Sequence, residues 1–386
     1  MQTTFEIFWR FLLLGCTSFG GPAAHLGYFR TELVERLGWL DEATYARLVA
    51  LGQFLPGPGS SQVGFAVGLE RGGLAGGAAA FLGFTLPSFL LMLALGVGAS
   101  SVAGQDWFLG LVAGLKLLAV IVVADATLAM WRAFCVERIS GGLAVATAAA
   151  LLLAPHTGVQ LLALASAAGV GALWLRPESA RSPGSQGAGS RPAWLPLAAF
   201  FTLLLALPWL AASNPLAAVF ADFYGAGALV FGGGHVVLPL LQQSLGSALP
   251  PEAFLTGYAA AQGVPGPMFT MATFLGTQLT VDPVAGALLA TAGIFLPGFL
   301  LVLALRGVWH GLAARPRVAA AAAGVNAAVV GLLLAALYQP VFVSAVGDAG
   351  DFALAMVGGF VLIRFRPPVL VLVFAFAGIG ILRHQL

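Results

Sequence analysis

Two short stretches break this chain in the same way. "LPGPGSSQ" runs from Leu55 to Gln62, and "VPGPMFT" runs from Val264 to Thr270. Proline removes a backbone N–H, clashes with the preceding turn and pushes the residue before it out of the helical region. Each PGP therefore ends a helix, in a chain that is otherwise apolar run after apolar run. In hydrocarbon, freed backbone groups are tolerated only inside protein or beside a water-filled cavity. A loop at the membrane surface is the plain alternative. Arg47 and the pair Glu70-Arg71, at the outer ends of residues 43–55 and 60–71, favour a hairpin that enters and leaves by one face.

Composition makes the membrane setting firm. Apolar residues form 60% of the 386, charged residues 8%, and mean hydropathy is +0.97. A soluble protein carries about a quarter of its residues charged. Many apolar runs can cross about 30 Å of hydrocarbon. A net charge of +2 without a basic block gives no footing for nucleic acid. Cys16 and Cys135 make no disulfide framework, and no His, Cys or acidic cluster has metal-ligand spacing. No metal or cofactor is expected. The N-terminus lacks a basic region and a cleavage site, and reads as an uncleaved first helix.

The breaks belong to a larger repeat. "FGGPAAHLGYF" from Phe19 returns as "FGGGHVVLPLL" from Phe231, an offset of 212. "GQFLPGPGS" from Gly52 returns at Ala261, offset 209; "LPSFLLMLALG" from Leu86 returns at Leu296, offset 210; "VAGLKLLAVIV" from Val112 returns at Ala322, also 210. Four blocks in one order imply two homologous halves, 1–175 and 194–386, joined by a Gly-, Ser- and Pro-rich linker over 176–193. Spans are expected over 5–23, 74–99, 107–131, 141–154 and 157–175, then 215–234, 284–306, 318–338, 349–363 and 368–385. Arginine bias changes sign between three matched loops: Arg30, Arg36 and Arg47 face none in 236–252, Arg315 and Arg317 face none in 100–106, and Arg132 and Arg138 face none in 339–348. Cytoplasmic loops collect Lys and Arg, so the halves read as inverted. The expected fold is an all-α polytopic membrane protein of two inverted-topology repeats, with about ten or eleven transmembrane helices plus paired re-entrant half-helix hairpins. The apolar segment 194–213 resists: a full crossing there would make halves of five spans parallel.

The breaks have a chemical consequence. A helix N-terminus offers unpaired N–H donors and about half a positive charge, a ready anion site. The second half-helices begin near Gly59, Ser60, Ser61 and Gln62, and near Thr270. Gly57, Gly266, Gly20-Gly21 and Gly232-Gly233 let backbone approach a ligand. Pro22, Pro56, Pro58, Pro265 and Pro267 make the breaks. Gln53 and Gln262, three residues before each PGP, either donate to an anion or satisfy carbonyls the break frees. Ser60, Ser61, Gln62 and Thr270 either cap or donate. Lys116 lies inside a span, where a lysine is costly; it draws an anion or pairs with an acid, though Asp125 lies on roughly the opposite helix face. Arg10 reads as a local partner of Glu6. His25 and His235 either sense protons or make interfacial hydrogen bonds; with Asp125 and Asp222 they are the candidates for ion coupling.

"SFGGPAAHLGYF", "QFLPGPGSSQ", "VFGGGHVVLPLL" and "QGVPGPMFT" together resemble the chromate ion transporter family in its long two-domain form, over nearly the whole chain. The resemblance implies export of chromate, a small inorganic oxyanion related to sulfate, across the bacterial inner membrane, with the lipid bilayer as setting. It places the family's glycine-proline signatures on Phe19 to Pro22, on Gln53 and Pro56 to Pro58, on Phe231 to Gly234, and on Gln262 and Pro265 to Pro267. Pro22 faces Gly234, and "GSSQ" faces "MFTM", so the two half-sites are not equivalent. Sulfate transport, with or without protons, is the rival within transporters. A membrane oxyanion reductase would need a redox cofactor for which no motif is present, and a scaffold role leaves the matched breaks unexplained. A homodimer is compatible with the sequence.

Overall fold

The computed structural model describes residues 2–102, 105–175, 192–212, 214–231, 234–246, 248–309 and 315–385. The linker, but for its last two residues, and Gly232 and Gly233 lie outside them. All regular structure among the described residues is helical. The first half holds α1 (Gln2–Thr17), α2 (Gly21–Phe29, continued by wider turns over Arg30–Arg36), α3 (Glu42–Phe54), α4 (Gly59–Val102), α5 (Asp106–Phe134), α6 (Arg138–Leu153) and α7 (Thr157–Trp174). An unmatched α8 (Trp194–Ala211) follows. The second half holds α9 (Pro215–Leu229), α10 (Val237–Leu245), α11 (Pro251–Gly263), α12 (Met271–Gly276), α13 (Pro283–Leu305), α14 (Pro316–Ala336), α15 (Ala349–Phe365) and α16 (Val369–Gln385). Side-chain caps start several of them: Asp41 accepts from the Thr44 N–H at 2.7 Å, Asn214 from Leu216 at 2.9 Å, and Asp282 from Val284 at 2.9 Å.

α4 is two helices. Gly72 (φ −145°) and Gly73 (φ +61°) leave helical geometry and fold a short arm, 59–71, back along a long arm, 74–102. A Cβ on Gly77 would sit 2.9 Å from the Phe65 ring and 3.0 Å from Leu69, so only glycine lets the arms close. The short arm also folds back along α3, where a Cβ on Gly52 would lie 3.0 Å from the Gly59 carbonyl. At the outer ends of that hairpin, the Arg71 guanidinium lies 5.4 Å above the Trp39 ring.

The first helix departs from the sequence reading. A span was expected over 5–23, but α1 ends at Thr17 and the chain turns back through Gly20 (φ +96°) and Gly21 (φ +77°). Phe11 meets Phe29 edge to face at 5.5 Å, and Arg10 pairs with Glu32 at 3.4 Å, so α1 and α2 are antiparallel arms. Arg10 thus takes a partner 22 residues away rather than Glu6. α9, with 15 residues, likewise ends at Leu229 inside the expected span 215–234. Each half therefore opens with two hairpins, not one.

The later helices are exchanged between halves. Gly171 of α7 packs on Gly324 of α14, and Gly380 of α16 packs on Gly114 of α5. The repeat offset converts one pair into the other. Helices meet backbone to backbone at such small residues because hydrocarbon offers no hydrophobic drive to hold them. By length and composition, five helical segments among the described residues can cross a membrane, Gly59–Ala99, Asp106–Phe134, Trp194–Ala211, Pro283–Leu305 and Pro316–Ala345, and shorter apolar helices include Arg138–Leu153, Gly158–Trp174 and Val369–Gln385.

Candidate anion site

The broken helix ends meet at the centre and tie the halves together. Gly57 N–H donates to the Val230 carbonyl at 2.7 Å, and Gly266 N–H donates to the Ser18 carbonyl at 2.9 Å. Val230 and Ser18 are matched through the 212 offset, so each PGP tip is held by the end of the other half's first helix. Both tip glycines are left-handed, Gly57 at φ +127° and Gly266 at φ +100°. Gly21 and Gly234 converge as well: a Cβ on Gly21 would touch the Met268 sulfur at 3.4 Å, and one on Gly234 at 3.3 Å.

Around this crossing the predicted residues separate. Ser60, Ser61, Gln62, Gln262, Thr270 and His25 are buried there, as are Gly57, Pro58, Gly266 and Pro267. Gly59 opens the short arm, and Pro56, Pro265 and Pro22 are half-buried. Gln62, rather than Gln53, satisfies the first break: its Nε2 donates to the Pro56 carbonyl at 3.0 Å and to the Gly298 carbonyl at 3.2 Å. Thr270 does so in the second, donating to the Pro267 carbonyl at 2.8 Å. Gln53 is exposed, as is Gly20. Gln262 hydrogen-bonds Tyr258 and keeps its Nε2 without a partner among the described residues. His25 Nδ1 lies 3.2 Å from Ser60 Oγ. The His235 backbone forms a single turn, Gly234–Val236, beside the second FGG.

Three candidates stand apart. Lys116 Nζ binds Glu252 Oε1 at 2.9 Å, eleven residues or about 16 Å of helix before the tip end of α11. Hydrogen bonding from Lys116 holds the Glu252 carboxyl below its ordinary range. Asp125 lines an apolar groove of about 230 Å³ with Phe342, Phe352, Ala355, Met356 and Gly359. Asp222 sits two turns before the end of α9. The paired charges of the first half, Arg30 with Glu35 and Glu42 and Glu32 with Arg10 and Arg36, lie at the outer ends of the hairpins.

Among the described residues the crossing thus offers backbone N–H groups, hydroxyls, amides and the His25 imidazole, with no carboxylate. Six of its buried atoms, Ser18 Oγ, Ser61 Oγ, Thr85 Oγ1, His25 Nε2, Gln62 Oε1 and Gln262 Nε2, have no hydrogen-bond partner among the described residues. An unmade buried bond costs about 1–3 kcal/mol. A small anion fits that donor set. Ser18 and Thr85 were not read from the sequence; the signal was their place one residue before the FGG block and one before the repeated LPSF block.

The model of the chromate transporter family matches residues 5–173 and again 217–381. The chain belongs to the chromate transporter family. It is 30% identical over 358 residues to a chromate transport protein of Pseudomonas aeruginosa, covering 85% of this chain and 79% of that protein. It is 28% identical to a chromate transport protein of Cupriavidus metallidurans, covering 92% and 87%. An uncharacterised transporter of Methanocaldococcus jannaschii is 27% identical, over 77% and 74%. No solved structure matches. Membership makes the chain a multi-pass membrane protein of a transporter family, and the crossing is where both copies of the family's glycine-proline signature meet.

Proposed function

We propose that this chain exports chromate across the bacterial inner membrane, binding the oxyanion between the crossed tips and passing it by alternating access of two inverted halves. The observation that carries the reading is the exchanged pair of tip bonds, Gly57 to Val230 and Gly266 to Ser18. It aims two broken-helix N-termini at one buried centre without a carboxylate among the described residues, the arrangement that serves anions in transporters.

Inversion is supported by the outer ends. Arg306, just past α13, lies 3.8 Å from Glu70 at the outer end of the first hairpin. A Cβ on Gly96, late in α4, would sit 2.9 Å from Thr277, just past α12. The long arm of α4 and α13 then run in opposite senses, with the two hairpin sets entering from opposite faces. The fold-back of α1 also removes the parity problem. The first half crosses with the long arm of α4, α5, α6 and α7, an even number, and α8 supplies the crossing that inverts the second half. Arg30, Arg36, Arg71, Arg138, Arg306 and Arg317 fall on one face, which is cytoplasmic by the positive-inside rule. Lys116 and Arg383, each paired to acids, fall on the other.

Energetics give the direction. One charge moved through 100 mV is worth about 2.3 kcal/mol, so a dianion leaving an inside-negative cell gains roughly 4.6 kcal/mol, and still about 2.3 kcal/mol with one proton carried alongside. Sulfate has the same shape and charge, and the same site would admit it. Counterflow of labelled chromate in proteoliposomes, challenged by chromate, sulfate, molybdate and phosphate, tests the assignment. Chromate should displace best. Stronger displacement by sulfate would transfer the reading to sulfate, and no exchange with any anion would remove it.

A further inference from the structure

The two tips are matched in backbone but not in chemistry. Around Gly266 stand Ser18, whose carbonyl takes its N–H, and Ser88, whose Oγ would lie 2.9 Å from a Cβ on Gly266. Thr85 lies one turn before Ser88, which donates to its carbonyl at 2.9 Å. His25 lies 5.2 Å from the Phe84 ring, with its Nδ1 3.2 Å from Ser60 Oγ. The repeat offset carries these residues to the other tip: Ser18 becomes Val230, Thr85 becomes Phe295, Ser88 becomes Gly298, Ser60 becomes Phe269 and His25 becomes Val237. One half-site carries hydroxyls and an imidazole; the other is hydrocarbon apart from Ser61 and the Gln62 amide, whose Nε2 is spent on the Pro56 and Gly298 carbonyls. In the first, Ser18 Oγ, Thr85 Oγ1 and His25 Nε2 are buried and unpartnered among the described residues, while Thr270, four residues past Gly266, is satisfied within its own turn.

We propose that the oxyanion is held in the Gly266 half-site alone, by Ser18, Thr85 and His25, and that His25 takes up one proton with the anion. This rests on the chromate-export reading and deepens it. Hydroxyls can each donate one bond but supply no charge, and among the described residues no lysine or arginine is part of the crossing. Burial disfavours a lone charge and an adjacent opposite charge restores it, so the imidazole is the group that can answer the anion. Charged residues of the elements packed around His25 stand at the outer ends: Glu6 and Arg10 on α1, Arg30, Glu32, Glu35 and Arg36 beyond α2, Glu42 and Arg47 on α3, Glu70 and Arg71 on α4. Tyr45 of α3 donates to the Leu26 carbonyl, next to His25 in sequence, at 2.6 Å.

The test is chromate binding to the purified full chain in detergent between about pH 6 and 8, the range in which a histidine titrates. Wild type and His25→Gln are compared at each pH, so that chromate's own protonation cancels in the ratio. The advantage of wild type should fall by about tenfold per pH unit on the alkaline side. Adding chromate to weakly buffered protein should draw up a proton in wild type and not in the variant. Thr85→Val, nearly isosteric, should weaken binding about tenfold without changing the pH profile, which covers the case that His25→Gln does not fold. Parallel pH profiles for wild type and His25→Gln, or unaltered affinity in Thr85→Val, overturn the proposal and leave the export reading standing. Absence of chromate binding to wild type overturns both.

Discussion

Gly57 donates its N–H to Val230 at 2.7 Å, and its matched residue Gly266 donates to Ser18 at 2.9 Å. Neither half can form its tip without the other half's first helix. The break in each half is therefore completed in trans, which explains why the breaks come as a pair.

The tip glycines should tolerate no side chain. Gly57 and Gly266 are left-handed, and a Cβ would lie 3.0 Å from Gly298 Cα in one case and 2.9 Å from Ser88 Oγ in the other. Such strain is worth about 1–3 kcal/mol. Gly57→Ala and Gly266→Ala should each lower chromate flux at least tenfold while the protein still inserts and elutes as one species. Normal flux in both would separate the tips from transport.

The exchanged helices should set stability. Gly324→Leu forces a side chain against the α7 backbone, and Gly114→Leu does the same against α16. Overpacking of this kind costs about 1–3 kcal/mol or more. Both variants should lower the thermal midpoint in detergent by similar amounts, because the two crossings are matched. Leucine at Gly142, where a Cβ meets nothing within 4 Å, should leave it unchanged.

Lys116 should behave as a strut. Its bond to Glu252 depresses that carboxyl, whose stabilising contribution is present above its unfolded-state pKa and is lost as pH falls through the folded value. Lys116→Ala should cost at most about 1 kcal/mol, flatten that acid-side decline, and leave chromate affinity unchanged. A large loss of affinity with unchanged stability would return Lys116 to the anion path.

Topology is open to chemical labelling. In a background with Cys16 and Cys135 replaced by serine, Val136→Cys and Val281→Cys introduce thiols at positions 80% and 106% exposed. An impermeant maleimide should reach position 136 only from the cytoplasmic side and position 281 only from outside. Labelling of both from one side would contradict inversion.

Much of this was legible in the sequence, for physical reasons. Proline acts locally, so the PGP breaks announce themselves, and four blocks at one offset announce two halves. The turn at Gly20-Gly21 did not, because two glycines in an apolar run are equally at home in a continuing membrane helix; only the Phe11–Phe29 and Arg10–Glu32 contacts reveal the fold-back. That misreading also produced the parity conflict over 194–213. Ser18 and Thr85 stayed hidden because hydroxyls in apolar helices usually bond back to their own turn, as Thr17 does to Leu13 at 2.9 Å. Sequence does not say which hydroxyls are left over. Lys116 finds its acid 136 residues away, a pairing that no local pattern encodes.

The most direct measurement is chromate flux in proteoliposomes under an imposed potassium-valinomycin potential, scored in both polarities. The account predicts that chromate leaves the negative compartment and that the rate rises with the size of the potential and reverses with its sign. Flux that is unchanged when the potential is collapsed or reversed would contradict it.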